Sequence, residues 1–176
     1  MESHTIDLYP EVGPIHMALF DKVTNATQLR QRLLQQDTTL MCALVDATIV
    51  FNRLHALLAV NRAIHDLQRN QLKTHNIHSE IVFDFSSSVN IAQSLRRYGI
   101  NDQSQQLLVI KVGGSSSEVE SFMRENIQGE LVSLDLLDQW RDMKKIQKYY
   151  QLGNQSANMD KVMSLISGAI ALKGIL

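Results

Sequence analysis

Two histidines, one cysteine and one glycine pair are the groups whose types and spacing could do chemistry. His75 and His78 stand three residues apart, which on a helical turn would aim two imidazoles at one metal ion. They flank an extended-looking segment, no third ligand stands near them, and the chain has no His-Glu-x-x-His or paired-cysteine motif, so no metal centre is expected. Cys42 is the single cysteine and sits in the apolar run Met41-Cys42-Ala43-Leu44. A nucleophilic thiolate needs exposure and a neighbouring cation, so a buried, inert thiol is predicted instead. Gly113-Gly114-Ser115 follows the apolar run Leu107–Val112, where a phosphate-binding turn would stand. The lysine and further glycines of such a loop are missing, as is a Gly-x-Gly-x-x-Gly fingerprint, so a tight strand-to-helix turn is expected. No catalytic residue, cofactor or small-molecule substrate emerges, and the chain does not read as an enzyme.

Two other patterns concern binding. Arg62, His65 and Arg69 fall at i, i+3 and i+7 on a long helical pattern, with Asn61 and Lys73 beside them. Leu57, Leu58, Ile64 and Leu67 face the other way and are expected in the core. Such a stripe can hold a polyanion through counterion release, or be an ordinary solvated helix face. No aromatic residues interleave with it, which argues against a stand-alone RNA-binding module. Near the C-terminus, Met159, Val162, Met163, Ile166, Ala169 and Ile170 form one apolar stripe, and Leu165 and Leu172 lie outside it. The helix is either fully buried or keeps a second apolar face for a partner. Ile146 and Tyr149, with Tyr150, form a similar ridge just before it.

The elements that must position these groups follow from composition and periodicity. The 176 residues suit one domain, 44% are apolar and only 6% aromatic, so the core must be aliphatic. A lone cysteine fits a reducing compartment, Met1-Glu2-Ser3-His4 does not open a secretory leader, and no membrane span is expected. Net charge is −1, yet residues 53–98 hold six Lys/Arg against three Asp/Glu. Strands are predicted at Ile15–Phe20, Leu40–Val45, Glu80–Phe85, Leu107–Val112 and Leu131–Leu134. Helices are predicted from Asn25 to Gln35, Arg53 to Asn70, Asn90 to Tyr98, Glu118 to Asn126, Leu136 to Tyr150 with a break near Asp142, and Asp160 to Lys173. Ser86–Ser88 and Ser115–Ser117 are placed to cap helices, and Gly99 to end one with positive φ. Without strict βα alternation, this predicts an α+β fold: a small, mostly antiparallel sheet packed against several helices.

An ordered set of segments spans nearly the whole chain. It runs from Ala18-Leu19-Phe20 and Val23-Thr24-Asn25-Ala26, through Ala59-Val60-Asn61-Arg62-Ala63-Ile64-His65, Leu72-Lys73-Thr74 and Ser79-Glu80-Ile81-Val82-Phe83, to Tyr98-Gly99-Ile100 and Lys145–Leu152. The set resembles the PRPK-binding (TPRKB-like) protein family, with Asp46-Ala47 standing where the family usually has an Asp/Asn-Pro turn. The resemblance implies a single kinase-binding domain over 1–176 and a non-catalytic subunit of the KEOPS/EKC complex of nucleus and cytoplasm. Its direct partner would be a PRPK-type atypical kinase/ATPase. Through it the chain would meet the transferase that threonylcarbamoylates adenosine 37 of tRNA. The resemblance also implies that tRNA, by its 3′ CCA end, is a candidate partner. Carried over, Asn61, Arg62, His65, Arg69, Lys73, Thr74, Arg96 and Arg97 become tRNA-binding candidates. Ile146, Tyr149, Val162, Ile166, Ala169 and Ile170 become kinase-contact candidates. A purely protein-binding regulator without RNA contact is the alternative, followed by a small ligand-binding domain that reuses the fold.

Overall fold

Residues 1–175 are described by the structure, a computed structural model. The apolar run Ile15–Asp21 is β2, and its first six residues are all buried because it is the central strand. Along one edge of β2, β1 (Glu2–His4) and β5 (Glu130–Val132) lie end to end, against Ile15–Met17 and Leu19–Asp21. The other edge pairs with β4 (Leu107–Val112), Ile15 opposite Val112 and Phe20 opposite Leu107. β3 (Ala43–Asp46) completes the antiparallel order β1–β2–β4–β3.

Side chains alternate along β2, so two cores form. Ala18 and Phe20 enter the smaller one, with α1 (Ala26–Leu34) and α5 (Ser116–Asn126). Ile15, Met17 and Leu19 enter the larger one. Six helices contribute to it: α2 (Arg53–Gln68), α3 (Ile77–Asp84), α4 (Ile91–Tyr98), α6 (Leu137–Trp140), α7 (Met143–Tyr150) and α8 (Met159–Ala171). The α+β expectation holds, with an antiparallel sheet between two helical layers.

Several local readings need correction. Glu80–Phe85 is not a strand: Glu80–Asp84 is the second half of α3 and Phe85 is its C-cap. Asn76 Oδ1 accepts from the N–H groups of His78 and Ser79, and Ser79 Oγ accepts from Asn76 N–H, a reciprocal cap that starts a helix. Six of the eight α3 residues are buried, so no period of 3.6 was visible. Gly99 has φ −78°, not positive; a Cβ there would stand 2.6 Å from Leu95 O, and this close approach is what requires glycine. Asn90, not a serine of 86–88, caps α4 through Gln93 N–H, whereas Ser115 caps α5 as expected. Asn25 makes no cap bond; its side chain ties Asn126 O and Gln128 N–H instead. β3 begins at Ala43 rather than Leu40. The core face of α2 is Ala56, Ala59, Val60, Ala63 and Ile64, while Leu57, Leu58 and Leu67 are half-buried. At Asp46-Ala47, Asp46 Oδ1 accepts from Thr48 N–H at 3.0 Å and Thr48 Oγ1 at 2.7 Å, closing the turn without proline. Cys42 is buried, and burial pushes its thiol up to about 12.

Candidate functional site

Asn52 Oδ1 caps α2 by accepting from His55 N–H at 2.9 Å, and the helix then carries Asn61, Arg62, His65 and Arg69 outward. The stripe does not stay free. Arg62 Nε donates to Asp66 Oδ2 at 3.0 Å. Its Nη groups donate to the carbonyls of Ile170, Ala171 and Lys173 at 3.4, 3.2 and 3.3 Å. A helix leaves its last carbonyls unpaired, so Arg62 of α2 serves as a cap for α8. A 2.6 Å hydrogen bond links His65 Nδ1 to Tyr9 Oη, and Asn61 lines an apolar groove with Ile6, Leu8, Leu54, Leu57 and Leu58. Thr74 donates through N–H and Oγ1 to Glu80 Oε2 at 2.8 and 2.7 Å. Arg69, Lys73 and Arg96 remain exposed, and Arg97 places its guanidinium over the Tyr149 ring of α7, 4.9 Å from its centroid.

Arg62 and Lys73 both line a cavity of about 180 Å³ whose walls also include Val89, Ile91, Asp84 and Lys173. Sequence reasoning missed the groups beneath it. Asp66, Glu80 and Asp84 bring carboxylate oxygens within 4.8 Å of one another. Lys173 is 6% exposed; its Nζ donates to Asp84 Oδ1 at 3.2 Å and to Phe83 O, and lies 3.1 Å from the Phe83 ring centroid. Among the described residues, Asp84 Oδ2 has no hydrogen-bond partner. Burial pushes the Asp84 carboxyl up and the Lys173 ammonium down, each partly offset by the other's charge. Arg62 and Lys173 supply two cations to three acids, which is a structural explanation for the cluster. The available signal was a charged residue beside the stop glycine Gly174 and two acids four apart, but reading α3 as a strand scattered it.

The second surface is α8. Val162, Ile166 and Ile170 are 0, 0 and 3% exposed and Ile146 is 1% exposed, so these four kinase-contact candidates belong to the chain's own core. Tyr149 and Ala169 are half-buried at its rim. Facing outward instead are Leu165 and Leu172, two turns apart with Gly168 between them, and then Ile175; they are 40, 48 and 70% exposed. Behind α7, Phe51 N–H donates to His55 Nδ1 at 3.0 Å, His55 Nε2 meets Tyr150 Oη at 2.7 Å, and Tyr150 donates to Phe85 O. This buried relay fixes α7 against α2 and α3. Among the described residues, no helix is long and apolar enough to cross a membrane.

Residues 20–174 match the family model described as kinase binding protein CGI-121. The chain is 41% identical, over 92% of its length and 91% of the relative's, to the EKC/KEOPS complex subunit cgi121 of Aspergillus terreus. It is 37% identical to that of Aspergillus fumigatus, over 99% and 97% of the two chains. A similar subunit of Gibberella zeae is 34% identical over 99% of both.

Proposed function

This chain belongs to the kinase binding protein CGI-121 family, and on that premise we propose that it is a non-catalytic subunit of a KEOPS/EKC complex that docks the atypical kinase/ATPase subunit on the outer face of α8. The observation that carries this reading is the exposed row Leu165, Leu172 and Ile175, with Gly168 leaving room for close approach. Its role in the complex would be to support threonylcarbamoylation of adenosine 37 in tRNA, in nucleus and cytoplasm. The exposed cations Lys73, Arg69 and Arg96 would contact the tRNA, at its 3′ CCA end. A second reading, a regulator that touches only protein, is favoured by one observation: Arg62, His65 and Thr74 are already committed to partners inside the chain.

Calorimetric titration of the kinase subunit with the full chain tests the docking. Removing α8 is a poor test, because it would strip Val162, Ile166 and Ile170 from the core. Leu165→Glu combined with Leu172→Glu changes only surface positions. Binding by the native chain should weaken by about tenfold or more in this variant, since it strikes the apolar centre of the contact, with Tm unchanged. Retained affinity would move the contact elsewhere on the molecule. No binding by the native chain would remove the proposal.

A further inference from the structure

The turn that ends α8 is two-sided. Leu172 and Ile175 are exposed in the apolar row, while Lys173 is buried and, with the backbone of the exposed Gly174, forms part of the wall of the 180 Å³ cavity. The carbonyls of Ile170, Ala171 and Lys173 take up three of the four bonds that hold the Arg62 guanidinium. Residues 171–175 thus present one surface to a protein partner and, in the same conformation, build and order the other. Beside this row the surface is open: a Cβ at Gly168 or Gly174 would meet nothing within 4 Å.

We propose that the apolar row of α8 and the cavity lined by Arg62 and Lys73 are positively coupled through residues 171–175, so that a protein docked on the row tightens binding of an anion beside Lys73. The sign follows from the shared conformer. A partner that needs Leu172 and Ile175 in place stabilises the arrangement in which Lys173 closes the cavity wall and Arg62, bonded to the end of α8, is ordered in the lining it shares with Lys73. An anionic ligand then binds a site whose ordering has already occurred. Coupling is reciprocal, so the anion tightens the protein contact by the same factor. This inference rests on the kinase-docking and RNA-contact reading above, and concerns how its two surfaces communicate.

The test measures the affinity of the full chain for a short single-stranded RNA ending in CCA, with and without saturating kinase subunit. The nitrogen-15 resonance of the Arg62 Nε–H group is followed in the same samples. Coupling of the usual size predicts RNA binding about fivefold tighter with the kinase present, and slower solvent exchange of the Arg62 Nε–H. Lys173→Met keeps the aliphatic stem and removes the ammonium; because Lys173 is buried and touches neither partner, its loss should weaken both affinities and abolish the enhancement. RNA affinity that ignores the kinase, with an unchanged Arg62 signal, overturns the coupling. If RNA fails to bind at all, the RNA reading fails, and the Arg62 signal alone decides: kinase-slowed exchange supports the two-sided turn and no slowing overturns it.

Discussion

His55 and His78 are imidazoles held neutral by burial, which pulls them down to about 3 and about 4; for His78 the charge of Lys111 adds to the effect. In the unfolded chain both would titrate at about 6.5. Their contribution to stability is therefore complete above that value and is lost as pH falls toward the folded values. Each costs up to about 1.4 kcal/mol per pH unit in that window. Asp84 works in the opposite direction. Its raised folded pKa means that the native state takes up a proton first, so its contribution grows as pH falls and is lost as pH rises. Thermal unfolding followed between pH 6.5 and 5 should show a moderate acid loss. Asp84→Asn should steepen that loss and His78→Gln should flatten it. Identical slopes in all three proteins would mean that neither buried group is linked to folding. Of these groups, His78 was visible in the sequence as half of a candidate metal pair. Its actual task, with Nε2 accepting from Val112 N–H at 3.3 Å, joins α3 to β4 and depends on long-range packing.

At the scale of elements, periodicity and capping reveal most of the fold because most elements have one wet face. α5 is an example: its serine cap and alternating exposure both lie in the local sequence. The exception is α3, where burial on nearly every side erased the helical period and left an apolar run that fits either structure. The same blindness reached α8. Its apolar stripe and the two leucines outside it were both legible, but which of them meets the core depends on where α2 and α7 lie, and the kinase-contact set that the resemblance implies falls mostly on the buried face. Glycine makes a further distinction that sequence cannot supply. Gly99→Ala should destabilise the protein by about 1–3 kcal/mol, because its Cβ meets Leu95 O at 2.6 Å where α4 turns back onto β3. Gly168→Ala, inside α8 with nothing within 4 Å, should stabilise by up to about 1 kcal/mol through helix propensity. Denaturant unfolding of the two variants checks both signs. A neutral Gly99→Ala would show that the α4 turn relaxes freely.

Over the whole molecule, a net charge of −1 and a pI near 6.6 leave little long-range attraction for a polyanion. Any RNA contact must therefore be local, and the structure limits how many cations can take part. Arg62 is occupied by Asp66 and the end of α8, and Arg97 is stacked on Tyr149. Arg69, Lys73 and Arg96 are exposed. Three cations on a single strand predict a slope of about −2 in the logarithm of the binding constant against the logarithm of salt concentration. Lys73→Glu combined with Arg96→Glu should remove most of that slope and weaken binding at low salt, while affinity for the kinase stays unchanged. Arg62→Glu is the wrong probe, because it also cuts the bonds to the end of α8 and would lower both affinities together. A slope that survives the Lys73 and Arg96 substitutions would place the RNA on another face, whereas the absence of any salt-dependent RNA binding by the kinase-bound protein would favour the regulator that touches only protein.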